Sequence, residues 1–422
     1  MHHAQAVFAG VTARTVIDYA DLRTRPEALS QGGWWAVAAH FDGPWHAWRF
    51  ADIQYNDRRE HGYSGPGAGP GKGPRTGGAG GAAPDPRADR PPAARAPGRP
   101  HSPGPAGPAL LDRDVHHAAA APQDGPAPRT GLPGWHGPAR DAWRSSMSRT
   151  EYMDAVEHVR AQIEAGRVYQ ANICRVLTAE VPGRPRAAGL GQILSAGNPA
   201  PYAGLIDVPD GLRDPRGGPM PSAWVVSASP ELGLQVGTGR ISSGPIKGTA
   251  SSPGGLSEKD RAENLMITDL VRNDLQRVCR PGTVTVTDLL RVEHHPGLVH
   301  LVSRVRGDLR DVDLNADGAL GWARVLAAGL PAGSISGAPK VSALHLIAQL
   351  ERAPRGPYCG QIGWIDADSQ SARLAVGIRT FWWAGGRLHF GTGAGITHDS
   401  DPEREWQETE LKAARLVRLA SG

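Results

Sequence analysis

Lysine is the residue this chain withholds. Of its 46 lysines and arginines only five are lysines: Lys72, Lys247, Lys259, Lys340 and Lys412. Guanidinium stays protonated in proteins, whereas an amine can shed its proton and attack carbon. A chain that draws its positive charge almost wholly from arginine is expected to keep lysine where an amine is needed. Cysteine is as sparse. Cys174, Cys279 and Cys359 are odd in number and far apart, so they form neither a disulfide framework nor a zinc pattern, which fits a reducing compartment. No apolar run approaches the ~18 residues needed to span a membrane, and the N-terminus has no signal-peptide core. The net charge of +4, with a pI near 9.1, is spread along the chain rather than clustered. No nucleic-acid partner and no membrane are implied, and the expectation is a soluble, cytoplasmic protein. With 422 residues there is length for one large or two ordinary domains.

What is present divides the chain in three. Residues 1–61 hold Trp-rich strand candidates around 34–39 and 45–50, able to pack on a core but without recognisable chemistry. Residues 62–142 contain 17 of the 37 prolines and 17 of the 55 glycines, with only Tyr63 and Trp135 as aromatics. Such text buries too little apolar surface to offset its ordering entropy, and disorder is expected there. A shifted reading frame in GC-rich DNA would leave the same signature, an alternative the coding sequence decides. Residues 143–422 carry the periodic patterns of a folded domain. Ser148 and Glu151 have capping-box spacing, and Tyr152, Val156, Val159 and Ile163 then trace one helical face. A second helix is expected from Ser257, with Ile267 and Leu270 continuing the stripe of Asp260 and Glu263. A third is expected after Pro339, with Val341, Leu344, Ile347 and Ala348 on its apolar face, and a last one after Pro402. Strands are expected at 168–176, 223–227, 232–236, 283–286, 298–305, 360–365, 374–382 and 387–391.

Within that domain the stretch 229–249 sets an acid, Glu231, and an amine, Lys247, beside Pro and Gly at the ends of short strands. Asp260 and Glu263 at i, i+3 on one helix, and Glu405 and Glu408 at i, i+3 on another, form two acidic pairs. Converging, they would repel unless a hard divalent cation such as Mg²⁺ neutralised them. Two solvated helix faces, with a Glu408–Lys412 pair, would carry the same pattern. The loop PAGSISGAPK departs from the phosphate-binding GxxxxGK[ST] pattern at Pro339 and Val341, so a nucleotide reading is weak. GTGAG at 391–395 reads as a tight loop that could admit a carboxylate. Arg379, on one strand face with Ala375 and Gly377, would have room to bind a carboxylate bidentately, or would simply face water.

Taken together and in order, SPE, PIKGT, KDRAENLMITDLVRND, VHLVS, PAGSISGAPK, GIRT, GAGI and DPEREWQET resemble the chorismate-utilising enzymes. That family includes anthranilate and aminodeoxychorismate synthase components I and the isochorismate and salicylate synthases. The resemblance covers roughly residues 143 to 420. It implies an α+β fold, a sandwich of two β-sheets flanked by helices, with the active site between them. It implies Mg²⁺ on Glu263 and Glu408, with Asp260 and Glu405 assisting through water. Tyr358, Arg379, Gly393, Ala394, Gly395 and Lys412 would hold substrate carboxylates. Gly248, Thr249 and His300 would line the ring, and Glu231 would protonate the departing C4 hydroxyl.

Two positions bear on the reaction. The water-adding members look to have a Lys base where this chain has Gln170, which cannot act as a base. Anthranilate synthases typically have Ala in place of Lys247, and a Lys there resembles aminodeoxychorismate synthase component I, where it is the nucleophile. Neither Cys174, Cys279 nor Cys359 lies in a glutaminase elbow, so ammonia would come from a separate glutamine amidotransferase subunit. A separate aminodeoxychorismate lyase would then complete p-aminobenzoate for folate or a specialised pathway. Anthranilate synthase component I and a non-catalytic chorismate-binding relic remain the alternatives.

Overall fold

The computed structural model describes residues 3–55, 134–250, 252–295, 298–310 and 321–422, with Thr249, His295 and Leu298 described by backbone alone. Most of the Pro/Gly-rich segment expected at 62–142 lies outside the described residues. Its last nine residues do not fit that description. Trp135 is buried against the C-terminal helix, its indole N–H donating to the Ala420 carbonyl at 3.1 Å, and a short 3₁₀ turn follows at Arg140–Ala142. A single large aromatic anchors a stretch whose local composition reads as a linker, because burial is decided by a partner far away in sequence.

Strand pairing is antiparallel throughout the described residues. One half-sheet runs Gln170–Glu180, Arg387–Ile396, Thr380–Ala384, Ala223–Ser229 and Tyr202–Val208. The other runs Trp34–Ala39, Gln361–Asp366, Ser371–Val376, Leu232–Gly237, Arg240–Gly244 and Leu298–Asp308. The N-terminal strands Gln5–Phe8, Val11–Asp21 and Trp45–Tyr55 join the two halves into one continuous ladder. The N-terminal segment is therefore the seam of the sandwich, in one compact unit with residues 134–422. The strand Trp34–Ala39 shows why: Trp34, Ala36 and Ala38 pack into one core cluster, while Trp35, Val37 and Ala39 pack into another on the opposite face.

Six helices among the described residues cover the outer faces. They are α1 (Arg149–Glu164), α2 (Ala187–Gly197), α3 (Glu258–Gln276), α4 (Gly321–Gly329), α5 (Lys340–Leu350) and α6 (Pro402–Ala420). The capping box of α1 forms as expected, Ser148 and Glu151 each accepting the other's backbone N–H. A cap of this kind contributes about 1 kcal/mol. Tyr152, Val156 and Val159 are fully buried with Ala343 and Ile347 of α5. The face expected for α5 is out of phase. Val341 is 73% exposed, and the buried residues are Ala343, Leu346 and Ile347. A helix that is apolar nearly all round leaves its buried face to the neighbours, here α1 and the strand Gln170–Glu180.

Two of the places where the chain steps between the half-sheets lie side by side. One is Pro230-Glu231, between Ala223–Ser229 and Leu232–Gly237. The other is Gly377–Ile378–Arg379, between Ser371–Val376 and Thr380–Ala384. Val376 N–H donates to the Glu231 carbonyl, Ser229 Oγ–H to the Val376 carbonyl, and Ala228 N–H to the Arg379 carbonyl. The single strand expected at 374–382 is thus two strands in different half-sheets. Arg379 sits at the break with φ 52°, not on a strand face with Ala375 and Gly377.

Candidate active site

Glu231 sits at the first crossing, 4% exposed. Ser334 of the PAGSIS loop donates its hydroxyl to Glu231 Oε1 at 2.6 Å, and the Ile246 backbone N–H also reaches the carboxyl. Burial pushes the Glu231 pKa up to about 7, against the opposing pull of Ser334, Lys247 and Ile246. A carboxyl that is partly protonated at neutral pH is suited to donate a proton. The same Pro-rich loop that failed the phosphate pattern is used to hold this acid. Gly337 and Ala338 pair with Ala171 and Gln170 as a two-residue strand, and Lys340 is bonded to Asp274 at 2.7 Å.

Lys247 lies on the strand Ile246–Ala250, next to Gly248, whose φ of 80° favours glycine. A Cβ at Gly248 would stand 2.8 Å from the Cβ of Asp260, so the strand lies directly on the first turn of α3. Thr249 pairs by backbone with His300, which is buried, and the Thr249 side chain lies outside the described residues. Residues 393–395 are not the loop expected. They are strand, paired with 172–174. The glycines are needed for close approach: a Cβ at Gly391 would collide with the Tyr358 ring, one at Gly393 with Cys174 Sγ, and one at Gly395 with Gln170 Nε2 at 2.3 Å. Lys247 Nζ is 3.3 Å from the same Gly395 position. Gly391, Gly393 and Gly395 share one strand face, so Tyr358, Cys174 and the Gln170–Lys247 pair stand in a row along it.

One glutamate of each acidic pair shares a lysine with the other. Lys259 Nζ, on α3, lies 3.3 Å from Glu405 Oε1 on α6 and 3.8 Å from Glu263 Oε1. Lys247 Nζ lies 3.7 Å from Glu263 Oε2, and Lys412 Nζ 2.6 Å from Glu408 Oε1 and 3.0 Å from the Gly393 carbonyl. Burial raises the Glu263 pKa, with Lys247 and Lys259 opposing. Burial also pushes Glu408 upward, but Lys412, Lys247 and Lys259 outweigh it and leave that carboxyl below its ordinary value. Burial would lower the Lys259 pKa, yet Glu405 and Glu263 hold it above.

Asp260 is placed differently from its partners. Its Oδ2 accepts from the backbone N–H and the hydroxyl of Ser257, closing a capping box at the start of α3. The Ser-x-x-Asp spacing was there to be read in the sequence. Tyr358 is buried, its hydroxyl 3.8 Å from Cys174 Sγ, and burial raises its pKa well above the usual phenol value. Arg379 is largely buried near Arg415, one turn beyond Lys412 on α6. Three partners had no role in the sequence reading: Ser334, Lys259 and Ser400, whose hydroxyl donates to Glu405 Oε1 at 2.6 Å.

The donor set suits a hard divalent cation. Among the described residues no three His, Cys, Asp or Glu side chains stand close enough together to hold a metal ion as they are placed. The carboxylates are bridged by lysine ammonium groups instead. Glu405 Oε2 is nevertheless buried and without a hydrogen-bond partner among the described residues. A carboxylate oxygen left so is costly unless something else is to coordinate it.

Residues 112–418 match the family described as chorismate binding enzyme. The chain belongs to this family. It is 36% identical over 308 residues to anthranilate synthase component 1 of Thermus thermophilus, covering 70% of this chain and 61% of that protein. It is also 36% identical over 294 residues to aminodeoxychorismate synthase component 1 of Klebsiella aerogenes, covering 65% of this chain and 59% of that one. It thus spans about 60% of the length of these relatives. The fold matches the menaquinone-specific isochorismate synthase of Escherichia coli with a TM-score of 0.64 at 16% identity, over 99% of this chain and 89% of that one. The expected α+β sandwich is the fold observed. No helix of the described residues is long and apolar enough to cross a membrane.

Proposed function

We propose that the chain is an aminodeoxychorismate synthase component I, which converts chorismate and ammonia to 4-amino-4-deoxychorismate and water. The observation that carries the reading is the placement of Lys247. Its amine stands with the Gln170 amide over Gly395, in a site whose acid, Glu231, has a pKa near 7. In the first step Lys247, its extra proton lost to solvent, forms a bond from Nζ to C2 of chorismate, both ring double bonds shift (C1=C2 to C1=C6 and C5=C6 to C4=C5), and the C4–O bond breaks. Glu231 gives its proton to the departing hydroxyl, which leaves as water. In the second step ammonia bonds to C4, both double bonds shift back, and the C2–Nζ electron pair returns to Lys247. One proton of the ammonium so formed is returned to Glu231.

Gln170 has no basic group to activate water, and its buried Oε1 has no hydrogen-bond partner among the described residues. That acceptor suits a nucleophile that brings N–H groups. Mg²⁺ on Glu263 and Glu408, with Asp260 and Glu405 through water, would supply charge neutralisation for a substrate carboxylate. Lys412, Arg379, Tyr358 and the strand 393–395 would bind the remaining carboxylate, and Gly248, Thr249 and His300 would line the ring. Ammonia would be delivered by a glutamine amidotransferase subunit, and a separate lyase would form p-aminobenzoate.

The test is product identification. Protein, chorismate, Mg²⁺ and ammonium should yield a product that aminodeoxychorismate lyase converts to p-aminobenzoate. Anthranilate instead would make the chain an anthranilate synthase component I. Thermal stabilisation by chorismate and Mg²⁺ without turnover would make it a non-catalytic binder.

A further inference from the structure

Three lysines face the acidic cluster, and they are held in different ways. Lys412 is fastened from both sides, by Glu408 and by the Gly393 carbonyl. Lys247 is confined on its strand, with a side chain only 15% exposed. Lys259 is 48% exposed, and it reaches from the first turn of α3 over two glutamates that are 15% and 4% exposed. Its ammonium is the group that spans Glu263 on α3 and Glu405 on α6.

We infer that Lys259 is a tethered counter-cation: it holds the two helices' carboxylates together when no divalent ion is bound, and the ion must displace it to bind. The inference rests on the metal reading above. An ammonium 3.3 Å from Glu405 and 3.8 Å from Glu263 leaves no room for an ion that needs carboxylate oxygens at ~2.0–2.1 Å. Glu405 Oε2, buried and unpartnered among the described residues, is the oxygen that Lys259 leaves unsatisfied. One ammonium cannot serve both oxygens of Glu405 and both of Glu263, whereas a divalent ion with its waters can. Half exposed, the Lys259 side chain can swing toward solvent. Metal uptake then becomes an exchange, and the measured affinity is reduced by the share of molecules in which lysine closes the site.

The test is calorimetric titration of the full chain with MgCl₂ alone, comparing native protein, Lys259→Met, Lys259→Arg and Glu263→Gln. Lys259→Met should bind Mg²⁺ roughly three- to tenfold more tightly, the scale of a partly exposed ion pair. Lys259→Arg, which keeps the charge, should stay nearer to native. In EDTA the melting temperature of Lys259→Met should lie below native, and saturating Mg²⁺ should close that gap. Equal or weaker Mg²⁺ binding by Lys259→Met, with native binding intact and dependent on Glu263, would overturn the counter-cation role. No binding by native protein, or binding unchanged in Glu263→Gln, would sink the metal reading itself.

Discussion

Glu231 and Glu408 are the same side chain prepared in opposite ways. Glu231 is buried alone, with one hydroxyl and one backbone N–H as hydrogen-bond donors, and burial carries its pKa to about 7. Glu263, Glu405 and Glu408 lie on two helices among Lys247, Lys259 and Lys412, and there Glu408 is brought below its ordinary value. The first arrangement keeps a proton available. The second keeps negative charge available. Glu231 and Glu408 are thus separated by the balance of burial against nearby cations, while at Glu263 burial still outweighs two lysines.

Lys247→Ala breaks the comparison most directly, since it removes the nucleophile and the cation that faces both regions. Turnover should fall about 10³-fold or more, measured with either glutamine plus partner or ammonium. An unchanged rate would end the nucleophile role. Glu231→Gln should cost about 10²- to 10⁴-fold. In native protein kcat/KM should decline as pH rises through about 7, because only the protonated acid works, and that limb should be missing from the variant's profile. Stability offers a third probe. The folded pKa of Glu231 is raised from 4.5 to about 7, so the folded state binds the extra proton and loses stability as pH rises between those values. Between pH 4.5 and 8, denaturant titrations should show Glu231→Gln gaining about 3 kcal/mol relative to native. A gain in the opposite direction would mean that the carboxyl is charged in the fold. Glu263→Gln should weaken Mg²⁺ binding by roughly 10- to 100-fold while leaving the pH dependence set by Glu231 in place. If both changed together, the two regions would not be separable.

Local pattern was a good guide wherever one element suffices to define the structure. The α1 capping box, its buried stripe and the paired acids of α3 and α6 are all properties of residues within two turns of each other. It was a poor guide where the deciding partner is remote. Residues 393–395 have the look of a turn, yet they are strand paired with 172–174, and their glycines answer the close approach of Cys174 and Gln170. Arg379 alternates with Ala375 and Gly377 in the sequence, yet the chain changes half-sheet beneath it. Trp135 sits in linker-like text and is fastened to Ala420.

The sequence by itself determined which groups are available: one acid between Pro and Leu, a lysine in a chain that avoids lysine, and carboxylates at helical spacing. It also carried the family, since those motifs occur in a fixed order. Only the tertiary structure decided what each group is for. A pKa depends on burial and on charges within a few ångströms, and those neighbours come from Ser334, Ile246 and Lys247 for one glutamate, and from lysines on other elements for the rest. Spacing along one helix can set two carboxylates side by side. It cannot say that Asp260 will turn back to cap its own helix, or that Lys259 will reach across to Glu405.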